Sequence, residues 1–228
     1  MIHFSENFGE RKSFELPPSD KFKEVQPVSN SSVENARDYW DKIFDENLTA
    51  DDAYELTDDE LINEIFDCDE NEFQFDIDTS SAELKDLLNK FEKSEWDKLS
   101  EQEQKAAVAD LSSAISDLLE LSEIPNVQYY EADKNNCGFY NAENHSININ
   151  KNTFDSPKEV ANTVAHELRH AYQYERANKG ETYTDVLYRY NFLNYVKPLK
   201  IGKDYINFNE YENQLVEAEA RAFAKLFA

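Results

Sequence analysis

The segment from Ser156 to Gly180 constrains the fold most, because it predicts one long helix that carries two histidines. Ser156 followed by Pro157 is a typical helix start, and Gly180 stands just beyond the last periodic residue. His166 and His170 fall outside the apolar stripe of this helix, so packing alone does not explain them. The stripe consists of the residues that recur at helical spacing: Val160, Ala161, Val164, Ala165, Leu168, Ala171 and Tyr172.

The two histidines have the spacing of two ligands on one zinc ion. His166 and His170 are four residues apart, so their imidazoles project from one face about one turn apart. Glu167, beside the first histidine, lies off the ligand axis, next to where a water on the metal would stand. The sequence holds only four histidines, so a chance H-E-x-x-H is rare. The pattern therefore predicts a metal site rather than two surface histidines.

A catalytic zinc usually takes three protein ligands, so one more is needed. The remaining histidines, His3 and His145, do not continue the motif, and a carboxylate from the last predicted helix is expected instead. Glu217 and Glu219 are the two candidates. Glu217 shares its side of the helix with alanines, which would let two helices approach closely, whereas Glu219 lies with leucines. This arrangement favours Glu217, and Glu219 stays the alternative.

The sequence HELRH, followed after a helical insertion by E-x-x-A-x-x-F-A, resembles the gluzincin-type zincin metallopeptidases. It is most similar to the compact zincin-like domains of prophage-encoded proteins and bacterial polymorphic toxins, over roughly residues 126–228. The resemblance implies His166, His170 and Glu217 as zinc ligands. It also implies Glu167 as the general base.

This resemblance predicts a zinc-dependent metallopeptidase that acts on a dedicated protein substrate. Zinc would polarise a peptide carbonyl and lower the pKa of a water molecule, whose proton Glu167 would take and pass to the leaving amine. The resemblance further implies that the strand 146–150 is the sheet edge that pairs with an extended substrate. A hydrogen-bond donor for the oxyanion is expected among six residues: Tyr183, Tyr188, Tyr190, Tyr195, Tyr205 and His145.

The rest of the sequence predicts an α+β fold that is mostly helical. Four glycines and six prolines are few, which favours helices over a strand-and-turn architecture. Residues 80–121 have helical periodicity, with a capping box at Ser100 and Glu103. Alternating residues predict strands near 126–132 and within 137–150, and one last helix is expected from about residue 210 to the C-terminus.

The N-terminal part has a different composition, which predicts a separate acidic lobe at residues 1–79 before the zincin-like domain at 80–228. Residues 13–32 are rich in proline and polar residues and predict an extended arm. Residues 41–78 contain sixteen acidic side chains and one lysine, and their periodicity predicts one or two short helices. The loop from Asp67 to Asp78 only partly fits a calcium-binding EF-hand, so a solvated acidic loop is favoured there.

The net charge of −25 argues against nucleic-acid binding, and it leaves open either a basic protein or peptide as the partner or the attraction of divalent cations. The N-terminus has no secretory pattern and no apolar run long enough for a membrane span, and Cys68 and Cys137 allow at most one disulfide. A cytoplasmic protein is therefore expected, with delivery as an effector by a signal-independent route as the alternative.

Two other functions stay open: a zincin-fold binding module that cleaves nothing, and a toxin or effector domain.

Overall fold

The computed structural model describes residues 64–201, 204–205 and 207–227, and its fold is α+β and mostly helical, as predicted. The predicted arm at residues 13–32 and most of the acidic region 41–78 lie outside the described residues. The N-terminal lobe 1–79, its helices and its boundary with 80–228 therefore stay predictions. No helix in the described part of the chain is long and apolar enough to cross a membrane.

The described residues group into two compact units. The second unit comprises Phe73–Glu175 and Glu219–Ala228, and the first comprises Arg176–Ala218 with the described part of Met1–Glu72. The helix that carries the two histidines and the last α-helix each contribute residues to both units, because their sequences cross the boundaries at 175 and 218.

The second unit begins with three helices, which are α1 (Ala82–Asn89), α2 (Lys93–Trp96) and α3 (Glu101–Leu118). The capping box predicted for α3 is confirmed: the Ser100 side chain accepts from the backbone of Glu103, whose carboxylate accepts from the backbone of Ser100. Trp96 is fully buried, and its indole N–H donates to the carbonyl of Phe154 at 2.8 Å. The helices that periodicity predicted within 80–121 are therefore present.

Three strands follow, which are β1 (Asn126–Tyr130), β2 (Gly138–Asn141) and β3 (Ser146–Asn150). Their order in the sheet is β1-β3-β2, with β3 parallel to β1 and antiparallel to β2. Ile147 and Ile149 of β3 are fully buried in the same hydrophobic cluster as Val160 and Val164. The sheet therefore packs one face against the helix that carries the histidines.

The expectation that residues 146–150 form the sheet edge is wrong, because β3 is the central strand. Its backbone is paired with β1 on one side and β2 on the other, which leaves no side for a substrate strand. All five residues of β3 are buried, including Asn150, whose side-chain amide donates to the carbonyls of Ala132, Asp133 and Asn136. Amide groups satisfied by a neighbouring loop let this polar strand occupy the centre of the sheet.

Helix α4 (Pro157–Lys179) follows the sheet and has the predicted bounds, and Gly180 after it adopts φ 62°. Helix α5 (Tyr183–Leu193) in the first unit begins with a capping box at Thr182 and Asp185. The buried Asp185 carboxylate also accepts two hydrogen bonds from Arg176, at 2.8 and 2.9 Å.

The remaining elements are a two-stranded ladder of β4 (Lys200–Ile201) and β5 (Asp204–Tyr205), and helices α6 (Phe208–Glu212) and α7 (Leu215–Ala224).

The prediction of one continuous last helix is wrong, because the chain turns between α6 and α7 at Asn213 and Gln214. The fully buried Gln214 side chain donates to the backbone carbonyls of Tyr211 and Val196, and its oxygen accepts from the Asn191 amide at 3.0 Å. These bonds hold the backbone in the turn, which helical periodicity alone does not reveal.

Candidate metal centre

Helix α4 presents the two histidines because its apolar stripe is buried on another side. Val160, Val164 and Leu168 are fully buried, whereas His166 and His170 keep partial exposure. Their Nε2 atoms are 3.1 Å apart, and the ring planes are nearly perpendicular. Two ligands about 2.0–2.1 Å from one tetrahedral zinc stand about 3.3 Å apart. The observed separation of the two nitrogens is therefore close to that of two ligands on one ion.

Glu217 of α7 joins the two histidines. One ligand atom from each of His166, His170 and Glu217 lies within 4.8 Å of the others, and the Glu217 side chain is almost fully buried. Two imidazoles and one carboxylate are a donor set that zinc binds in catalytic sites, where a fourth position stays open. The three residues therefore form a group that can hold a metal ion.

The acidic loop from Asp67 to Asp78 was considered as a calcium site. Among the described residues, it does not form a second group of side chains that could hold a metal ion. Asp69 is engaged locally: its Oδ1 accepts from the backbone N–H of Asn71 at 2.9 Å and from the Asn71 side chain at 2.7 Å. Glu70–Glu72 form a short 3-10 helix without buried residues. Asp69 is thus engaged locally, and the solvated acidic loop favoured over a calcium site stays a prediction.

Glu217 and Glu219 lie on the same helix but have different partners. The Tyr195 hydroxyl donates to Oε1 of Glu217. Glu219 instead accepts from the Arg169 guanidinium at 2.6 Å and from the Gln173 amide at 2.6 Å. The structure thus brings Glu217 to the histidines, while Glu219 is held by two other side chains of α4.

Tyr195, one of the six expected oxyanion donors, contacts the metal group through its hydrogen bond to Glu217. Burial, and then the Glu217 carboxylate, raise the pKa of Tyr195 well above its ordinary value, so the hydroxyl keeps its proton at neutral pH. Of the others, Tyr183 donates to Glu64 at 2.8 Å, and the His145 ring contacts Tyr140. The side chain of Tyr205 lies outside the described atoms.

Glu167 lies in a buried position where β2 crosses α4. A Cβ placed on Gly138 of β2 would stand 3.4 Å from Cγ of Glu167 and 2.6 Å from Cγ2 of Thr163, so only glycine lets the strand approach this closely. Burial raises the pKa of Tyr130 to about 12, and the negative charge of Glu167 adds to that shift. Burial likewise raises the pKa of the Cys137 thiol, with Glu159 and Glu167 adding to it.

Two residues of this centre were not predicted, Arg169 and Gln173, whereas Tyr195 was expected as an oxyanion donor and not as a hydrogen-bond partner of Glu217. The sequence position of Gln173 could have indicated a contact with His170, because Gln173 lies three residues later on the same side of α4 as the histidines. Its Oε1 is 2.9 Å from Nδ1 of His170. Arg169 gave no such signal, since its partner Glu219 is 50 residues away.

Comparison of the chain with protein-family models, with curated proteins and with solved structures finds no match. The candidate centre therefore has to be interpreted from its own residues and geometry.

Proposed function

We propose that this protein is a zinc-dependent metallopeptidase. The observation that carries the proposal is the convergence of His166, His170 and Glu217, with Glu167 next to the first histidine on the same helix. When bound, zinc would supply Lewis-acid chemistry, polarising a peptide carbonyl and making water more acidic. Zinc is proposed rather than magnesium or calcium because imidazole nitrogen is a poor ligand for those two ions.

Glu167 is the proposed general base. A carboxylate beside the metal group can accept a proton from the attacking water and return it to the leaving amine, which neither histidine can do while its nitrogen binds the ion. Its place against Gly138 supports this role, because the close approach of β2 shields the carboxylate from solvent on one side. We propose that the hydrogen bond from the Tyr195 hydroxyl holds the Glu217 carboxylate in its orientation.

The edge of β2 is the proposed docking site for an extended peptide. Because Asn150 N–H bonds to Cys137 O across the antiparallel pair, the backbone groups of Gly138 and Tyr140 point away from β3. A peptide that adds to this edge would pass the turn of α4 that carries Glu167. The net charge of −25 supports a basic protein or peptide as the substrate.

Zinc content is the first test. Wild-type protein should contain about one zinc per chain by elemental analysis, and His166→Ala, His170→Ala and Glu217→Ala should each lower it to near background. Wild-type protein without zinc, or full retention in these variants, would contradict the proposed metal centre.

Catalysis is tested separately with Glu167→Gln, which keeps the shape of the side chain but cannot accept the proton. The substrate would first be sought by a proteome-wide search for new N-termini, with proteins encoded near the gene included. Zinc content and melting temperature should stay near wild type, while hydrolysis should fall by at least ~10²-fold.

Glu159→Gln is the matched control, since it makes the same charge change at an exposed position of the same helix. Equal hydrolysis by wild type and Glu167→Gln would refute the mechanism, and bound zinc without any cleaved protein would favour a binding module.

A further inference from the structure

A chain of buried polar side chains runs from His170 to Arg169 by way of Gln173 and Glu219. Nδ1 of His170 is 2.9 Å from Oε1 of Gln173, whose Nε2 donates to Oε2 of Glu219 at 2.6 Å. The Arg169 guanidinium donates to the other oxygen of Glu219, also at 2.6 Å. The side chains of Gln173, Glu219 and Arg169 are all buried. Buried polar groups are costly unless they are satisfied, so such a chain calls for an explanation beyond packing.

The order of donors and acceptors along this chain fixes the proton on His170. The Glu219 carboxylate only accepts hydrogen bonds, so the Gln173 atom that faces it must be the amide nitrogen. The Gln173 oxygen then faces His170, and this oxygen can only accept. Nδ1 of His170 must therefore carry a proton, which leaves Nε2 of the neutral imidazole with its lone pair directed toward His166.

Arg169 anchors the far end of the chain. Its guanidinium lies 4.3 Å from the ring centre of Tyr172, 5.1 Å from that of Phe75 and 5.3 Å from that of Phe223. These rings and the Glu219 carboxylate hold the planar group in one orientation. Arg169 and Gln173 bond to the two carboxylate oxygens of Glu219, and Glu217 is the carboxylate that joins the histidines.

We propose that Arg169, Glu219 and Gln173 are positioning residues that hold His170 in the tautomer able to bind zinc through Nε2. The inference rests on the proposed function, because it assigns these residues a part in forming the same metal centre. Partners of this kind fix the ring orientation and the tautomer of a histidine ligand, and their loss typically weakens metal binding by about 10–100-fold.

The test uses Gln173→Met, which keeps an unbranched side chain of similar length but removes the amide. In metal-free wild-type protein, the ¹⁵N shifts of the His170 imidazole should report a proton on Nδ1, and in Gln173→Met that preference should be lost. Zinc binding, measured by competition with a chelator of known affinity, should weaken by about 10–100-fold. Gln104→Met is the matched control, because it removes an amide bonded to the Trp96 carbonyl and should change neither readout.

A double variant, Gln173→Glu with Glu219→Gln, separates the network from a general loss of stability. The new carboxylate at position 173 can accept from Nδ1 of His170 and from the new amide at position 219, whose oxygen can accept from Arg169. The chain of donors is thus rebuilt at unchanged net charge. The double variant should restore the Nδ1 proton and bring zinc affinity back to within a few-fold of wild type.

The two readouts distinguish failure of this inference from failure of the proposed function. Wild-type protein that binds no zinc overturns the proposed function. Retention of the Nδ1 proton in Gln173→Met, or unchanged zinc affinity in that variant, overturns the role of the network. If Gln173→Met does not fold, the double variant decides, and a folded double variant without the Nδ1 proton overturns the inference.

Discussion

Helices α4 and α7 both contribute to the metal group, but different contacts hold them in place. Helix α4 buries a continuous apolar stripe, in which Val160, Val164 and Leu168 are fully buried. Helix α7 also buries Phe223, yet polar side chains fix both its start and its carboxylates. Asn191 accepts from the first turn of α7, and Arg169 holds Glu219.

This difference matters for a metal centre. Apolar contacts are not directional, so they set which side of a helix is buried without defining its rotation within a few degrees. Hydrogen bonds and ion pairs have narrow angular limits and therefore fix rotation. Helix α7 must bring Glu217, rather than Glu219 two residues later, to the histidines. Its polar contacts set the rotation that places Glu217 there.

The largest expected effect on stability comes from Glu219→Ala. This change leaves the Arg169 guanidinium buried without its carboxylate, which should lower the free energy of unfolding by about 3–5 kcal/mol in metal-free protein. Chemical denaturation measures the loss. The matched variant is Glu217→Ala, which should be less destabilising but should abolish zinc binding. A larger stability loss in Glu217→Ala than in Glu219→Ala would contradict the assignment of polar anchoring to Glu219.

Leu168→Ala tests the corresponding anchor of α4. Leu168 is fully buried, so its truncation should lower the free energy of unfolding by about 2–5 kcal/mol through lost burial and a cavity. In folded protein, however, zinc affinity should change less than in Gln173→Met, because the hydrogen bonds of His170 are kept. A greater loss of zinc affinity in Leu168→Ala would show that apolar packing, rather than the polar chain, sets the ligand geometry.

The sequence was sufficient to predict most of α4 and little of what holds α7. The apolar repeat, the Ser156-Pro157 start and Gly180 are local signals, and the bounds of α4 follow from them. The capping box of α3 is local in the same sense. The pattern also predicted the two histidines on one side, because residues four apart share a helix face.

The features that could not be predicted depend on partners far apart in sequence. The turn between α6 and α7 is held by hydrogen bonds of the Gln214 side chain, and two of its partners, Asn191 and Val196, are 23 and 18 residues away in the sequence. The pairing of Arg169 with Glu219 spans 50 residues. The resemblance implied that the strand 146–150 lies at the sheet edge. Alternation along one strand could not correct this, because it does not specify which strands lie beside it.

Gly138→Ala tests the contact between β2 and α4, whose steric limits are as narrow as the angular limits of the hydrogen bonds that hold α7. The new methyl group would meet Cγ2 of Thr163 at 2.6 Å and the carbonyl of Asn148 at 2.9 Å, which should cost about 1–3 kcal/mol of unfolding free energy. Adding Thr163→Ser removes Cγ2 and keeps the hydroxyl that donates to Glu159, so part of the loss should be recovered. No recovery in the double variant would mean that the Asn148 carbonyl alone limits the approach of β2.

The smallest expected effect comes from Asn191→Ala at the start of α7. The change removes the acceptor of the Val216 N–H, at 2.8 Å, and the donor to Gln214. Gln214 keeps the Val196 N–H as a donor at 3.1 Å, so the main cost is the lost acceptor for one buried N–H group, about 1 kcal/mol. Amide hydrogen exchange should become faster at Val216, with little change in α4. Because the Arg169–Glu219 pair is untouched, zinc affinity should fall only a few-fold, and a fall as large as that in Gln173→Met would instead assign the rotation of α7 to its first turn.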